Sequence, residues 1–173
     1  MDEPMSNLDS NLKTNMTRLI REILKKLGTS AIIVTHDIMD AMDMSDKIAV
    51  LDEGKIMQVG EPEEVYKNPQ SKKIALLFGE TNFIPLDMFP TSRSKFFDAE
   101  TNEHLISIRP GHFILPDEHT ASGPKVFVGE IVSLRKIATD YKIKLKCERL
   151  DLNISLRTLL DLTVGQKLKV IAP

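Results

Sequence analysis

A helical apolar repeat gives way to a β-branched run within a few residues, and that succession constrains the fold more than any other feature. Leu12, Met16, Leu19, Ile20, Ile23, Leu24 and Leu27 recur at steps of three and four, which is one face of an amphipathic helix. Lys25 and Lys26 stand in its last turn and Gly28 follows, a helix C-terminus by residue type. Ile32, Ile33 and Val34 come next without interruption. A continuous β-branched run of this kind predicts a strand buried on both faces, as in a parallel sheet. Helix followed by buried strand predicts α/β architecture.

The next segments extend the pattern. IMDAMDMSD reads as a short helix and KIAVLDEGKIMQVG as a hairpin turning at Glu53-Gly54. EPEEVYKNP has Pro62 at a helix start and Pro69 just past its end, and SKKIALLFG is a further short helix closed by Gly79. The texture changes near Thr81. From there HLISIRP, HFILP, KVFVGEIVSLRKI, YKIKLKCE, LDLNISL and QKLKVIAP read as short strands separated by Gly, Pro and Asp. The expected organisation is an incomplete α/β part over residues 1–80, then a small all-β barrel or sandwich over 81–173.

Bulk properties remove several function classes. The 173 residues are 42% hydrophobic and 28% charged with a formal net charge of −2, so a packed core is expected rather than disorder. The charge balance, 5% aromatic content and lack of Trp argue against a nucleic-acid binder, including a barrel that stacks single strands. Cys147 is the sole cysteine. No intrachain disulfide can form, which suits a reducing compartment. His104, His112 and His119 lack the spacing of zinc ligands, and His112 and His119 read as turn caps. The opening residues are acidic without the apolar stretch of a signal peptide. No run approaches the ~18 apolar residues of a membrane span, so any span is expected from another subunit.

Chemistry is expected at the two strand ends. In open α/β sheets, reactive groups gather at the carboxyl ends of strands. Asp2 and Glu3 stand side by side at one such end and His36 follows the other. Adjacent strand residues point in different directions, so one carboxylate can serve Mg²⁺, directly or through water, while the other polarises a water for attack on a phosphoryl group. An imidazole at His36 can bridge a γ-phosphate and that water. Taken singly, an acidic pair is ordinary solvated surface, and a His after a strand is an ordinary turn residue.

The order of the pieces carries more weight. DEPMSNLD followed by IIVTHDIMDAMDMSDKIAVLDEGKIMQVGEPEEVYKNP resembles the ATP-binding subunits of ABC transporters over about residues 1–80. The resemblance implies an incomplete P-loop NTPase-like parallel sheet. It makes Asp2 and Glu3 the end of the Walker B motif, Asp2 serving Mg²⁺ and Glu3 acting as general base. Ser6, Asn7, Leu8 and Asp9 match the D-loop, which crosses the interface between two nucleotide-binding domains. His36 matches the switch histidine. SIRPGHFIL is similar to the IRPE segment of the OB-like accessory β-domain (TOBE) of importer ATPases, with Gly111 where an acidic residue is usual.

The departures are equally specific. No G-x-x-x-x-G-K-[ST] occurs, and the Q-loop and signature that lie ahead of Walker B in the family are absent. Met1 is therefore expected to be an internal methionine of a longer subunit, with this chain its C-terminal portion and without ATPase activity when isolated. The resemblance implies a subunit that hydrolyses ATP with Mg²⁺. It would work as a homodimer with permease subunits, peripherally on the cytoplasmic face of the bacterial inner membrane, to energise solute uptake. FGETNFIP looks most like polyamine (spermidine/putrescine) importers, with iron, sulfate and sugar importers close behind. The competing expectation is a regulatory or interaction module whose β-domain binds a small ligand or partner beside a vestigial α/β part.

Overall fold

The computed structural model describes residues 1–6, 8–88, 95–116 and 125–172. Asn7, His119 and the terminal Pro173 lie outside the described residues. The chain divides into two compact units, Met1–Gln70 and Ser71–Pro173.

In the first unit, α1 spans Ser10–Leu27. The Asp9 carboxylate accepts from the N–H groups of Asn11 and Leu12, each at 3.0 Å, which satisfies donors that the first turn cannot pair internally. Helix α2 spans Ile38–Met44, and Asp37 caps it by accepting from Met39 N at 2.9 Å. Strands β1 (Ile48–Asp52) and β2 (Lys55–Gly60) form an antiparallel hairpin. Glu53 and Gly54 both take positive φ, 46° and 75°, the backbone of a two-residue turn whose twist matches its strands. Helix α3 spans Pro62–Lys67. The Gln58 amide ties β2 to the segment after α3, donating to Asn68 O at 3.0 Å and accepting from Gln70 N at 3.0 Å.

The expected buried strand at Ile32–Val34 is corrected by the structure. These residues make one parallel bridge, Asp2 with Val34, while Ile32 is 84% and Val34 57% exposed. A β-branched run becomes a strand when neighbours cover its faces and pair its edges. Among the described residues, the only backbone alongside it is Met1–Glu3. The P-loop-like parallel sheet is therefore not observed, and the extended sheets are antiparallel.

The second unit opens with α4, Lys72–Leu77, capped by the Ser71 hydroxyl. Two antiparallel sheets follow. Strands β3 (Asn82–Pro85), β4 (Phe96–Asp98) and β5 (Glu103–Ile108) pair in the order β3-β5-β4. Strands β6 (Val126–Ile137), β7 (Asp140–Cys147), β8 (Asp151–Arg157) and β9 (Lys167–Ile171) pair in the order β8-β7-β6-β9. Side chains along β7 and β8 alternate between buried and exposed, so each strand gives one face to a shared core. Ile84, Ile106, Ile131, Leu145, Leu152 and Val170 are among its fully buried members. Gly129 allows β6 to approach β7 closely, since a Cβ there would stand 2.6 Å from the Lys146 carbonyl. HFILP is not a strand as expected. It forms a 3-10 turn at Pro110–His112 and a single bridge from Ile114 to Ile171, because Pro110 supplies no N–H and fixes the turn's φ.

Candidate functional site

Three backbone hydrogen bonds build the site. The Met1 ammonium donates to Ile32 O at 2.9 Å, Val34 N to Met1 O at 2.9 Å, and Glu3 N to Val34 O at 2.8 Å. The first three residues therefore run beside Ile32–Val34, and both segments deliver their polar residues at the same end. Glu3 then takes φ +43°, a left-handed conformation costly for a residue with a side chain. It turns the chain into Pro4–Ser6. Ser6 secures that turn twice, its N–H at 3.3 Å and its hydroxyl at 3.1 Å donating to Glu3 O. Met5 is buried beneath it. Leu8 N donates to Met5 O at 3.2 Å, and Asp9 then caps α1.

This geometry brings Glu3 and His36 together. Glu3 Oε1 stands 2.5 Å from His36 Nδ1. The hydrogen bond to the carboxylate, then its charge, hold the His36 imidazole above its ordinary pKa. Asp2 is exposed on the same short stretch. Leu8 is partly buried, and Ser6 and Asp9 serve the local turn and the helix start. Of the candidate residues, the structure thus joins Glu3 to His36 directly and places Asp2, Ser6, Leu8 and Asp9 on the adjoining backbone.

The donor set can be tested against the implied metal. Among the described residues no group of three or more His, Cys, Asp or Glu is placed to hold a metal ion. Mg²⁺ takes hard oxygen ligands and is commonly held by one or two carboxylates together with substrate phosphates. A single exposed aspartate beside a carboxylate–imidazole pair fits that demand, and it does not fit a dedicated all-protein cage.

One contributor lay outside the sequence reading. Lys13 on α1 places its ammonium 2.5 Å from Asp37 Oδ2 and 2.9 Å from Asp40 Oδ1. Arg21 reaches from α1 to the Asp43 carbonyl. These bonds fix α2, which begins two residues after His36. Ion pairs across such sequence separations leave no periodic trace, so the lysine looked like any charge on a helix's polar face.

No protein-family model matches the chain. Individual relatives do. The chain is 33% identical over 145 residues to the Fe(3+) ions import ATP-binding protein of Fusobacterium nucleatum, an alignment covering 78% of this chain and 39% of the relative. It is 38% identical over 139 residues to a spermidine/putrescine import ATP-binding protein of Pseudomonas aeruginosa, covering 71% and 38%. It is 30% identical over 194 residues to the maltose/maltodextrin import ATP-binding protein of Vibrio vulnificus, covering 100% and 51%. The chain spans about half the length, or less, of these curated relatives. The chain belongs to the family of ABC importer ATP-binding subunits.

Proposed function

We propose that this chain is the C-terminal portion of the ATP-hydrolysing subunit of an ABC importer, with residues 1–80 the end of its nucleotide-binding domain and 81–173 its accessory β-domain. The observation that carries the reading is the 2.5 Å contact between Glu3 and His36, with Asp2 on the same stretch. In this reading Glu3 is the general base, accepting a proton at Oε from the attacking water. His36 holds that carboxylate while nucleotide is absent. It turns to the γ-phosphate when ATP enters, freeing Glu3 for the water. Asp2 would hold Mg²⁺ through water, and the ion would supply charge neutralisation at the phosphates. Ser6, Asn7, Leu8 and Asp9 form the loop that meets a second ATP-binding subunit.

The partners in this reading are that second copy and the permease subunits, on the cytoplasmic face of the inner membrane. No helix among the described residues is long and apolar enough to cross a membrane. Phe78–Pro85 supports a polyamine as the first cargo to assay, with iron and maltodextrin as competitors. The test of the interface uses the complete subunit, with the preceding half restored. Glu3→Gln is expected to trap ATP and give an ATP-dependent dimer by light scattering, and His36→Ala to impair turnover. A Glu3→Gln subunit that stays monomeric with saturating Mg·ATP would count against the reading.

A further inference from the structure

His36 presents a structural problem: its side chain is 77% exposed, so packing cannot hold the ring in place. Its position has to come from its chain neighbours. Thr35 and Asp37 are tied to one another, Asp37 N donating to Thr35 Oγ1 at 3.0 Å. The Asp37 carboxylate is held at both oxygens. Oδ1 accepts from Met39 N at 2.9 Å, and Oδ2 meets Lys13 Nζ at 2.5 Å. The same ammonium reaches Asp40, whose side chain is only 8% exposed. A carboxylate that deep is costly without a partner, so Lys13 is not free to leave.

We infer that Lys13 is a positioning residue: by clamping Asp37 and Asp40 it fixes the start of α2 and thereby holds His36 against Glu3. The backbone bridge between Glu3 and Val34 sets the two segments side by side on the near side of His36, and Lys13 acts on its far side, at Asp37 and Asp40. The Lys13 N–H also closes the first turn of α1, donating to Asp9 O at 2.8 Å. One helical turn therefore connects the loop that ends at Asp9 with the imidazole. Under the ATPase reading, on which this consequence rests, a partner subunit pressing on the Ser6–Asp9 loop would move His36 through Lys13.

The alternative is that Lys13 only neutralises buried Asp40. The two roles give opposite signs in one measurement, because the Lys13 charge by itself lowers the His36 pKa while the Glu3 contact raises it. The experiment is an NMR titration of the imidazoles in the 173-residue chain without nucleotide, with the His36 signal assigned by its loss in His36→Gln. In Lys13→Met, loss of the clamp is expected to lower the His36 midpoint toward the ordinary histidine range. Lys13→Arg, which keeps the charge and the donors, is expected to restore it. A midpoint unchanged or raised in Lys13→Met, with α1 still helical by circular dichroism, overturns the inference. If Lys13→Met does not fold, Lys13→Gln is titrated and read by the same signs. Because nucleotide takes no part, failure of the ATPase reading in the complete subunit would leave this result standing, and the reverse also holds.

Discussion

Asn82 to Ala is a small substitution with a large expected cost. Strand β8 is at an edge of the four-stranded sheet, so part of its backbone has no strand to pair with. Asn82, 5% exposed on β3, takes that role with one amide. Its Nδ2 donates to Asn153 O at 2.8 Å and to Ile108 O at 3.2 Å, and its Oδ1 accepts from Asn153 N at 2.7 Å. Alanine removes all three bonds, one of them buried and two part-buried. A lost bond costs ~0.5–1.5 kcal/mol where water replaces it and ~1–3 kcal/mol where the group stays dry, giving about 3–5 kcal/mol in total. Domain stabilities are typically ~5–15 kcal/mol, so a large share of the second unit's stability rests on this side chain. Urea titration read at constant slope measures the change, and the melting temperature is expected to fall by roughly 12 °C or more. Asn82→Asp sharpens the test. It keeps the acceptor for Asn153 N but turns a carboxylate toward two carbonyls, so it is expected to lose at least as much. A loss under about 1 kcal/mol for Asn82→Ala, or an aspartate milder than alanine, would show that the Asn82 amide does not hold β8.

Other expectations are independent of that one. Amides of β6, β7 and β8 are expected to exchange more slowly than those of residues 30–50, because Ile32 and Val34 are exposed while Ile131, Leu145 and Leu152 are fully buried; the opposite order by hydrogen exchange would contradict this. Calorimetry is expected to show only weak Mg·ATP binding to the 173-residue chain, whose sequence has no Gly-rich loop of backbone donors for the phosphates, and micromolar affinity would contradict the assignment. Lys72 Nζ at 2.5 Å, then Thr101, hold the Asp98 carboxyl below its ordinary pKa. That contribution to stability is full above the unfolded carboxylate pKa and is lost as pH falls through the lowered folded value. Asp98→Asn should therefore flatten the acid limb of the melting temperature against pH, and an unaltered limb would count against the pair.

The sequence carried those elements whose signals are local. The three-and-four apolar spacing and Gly28 mark α1, Pro62 marks α3, Glu53-Gly54 marks the hairpin turn, and strict alternation marks β7. Where the structure departs, the deciding interaction is not local. Ile32–Val34 has strand propensity, but pairing and cover determine whether a strand forms, and among the described residues the backbone beside it is three residues long. Strand β3 was hidden for the converse reason. NFIP begins with a polar residue and ends in Pro, yet it pairs with β5 because Asn82 finds its partners 26 and 71 residues away. At the candidate site, residue type and order singled out Asp2, Glu3 and His36, whereas Lys13 acts across 24 residues to Asp37 and left no pattern to read.

In the proposed function, Glu3 activates water for ATP hydrolysis. The measurement that bears on it most directly is single-turnover hydrolysis by Glu3→Gln in the complete subunit, read beside equilibrium ATP binding. Gln keeps the size and hydrogen-bonding reach of Glu but cannot accept the proton. Retained ATP binding and a chemical step slowed by ~10²–10⁴-fold are expected. Near-normal single-turnover hydrolysis with Glu3→Gln would contradict that role for Glu3.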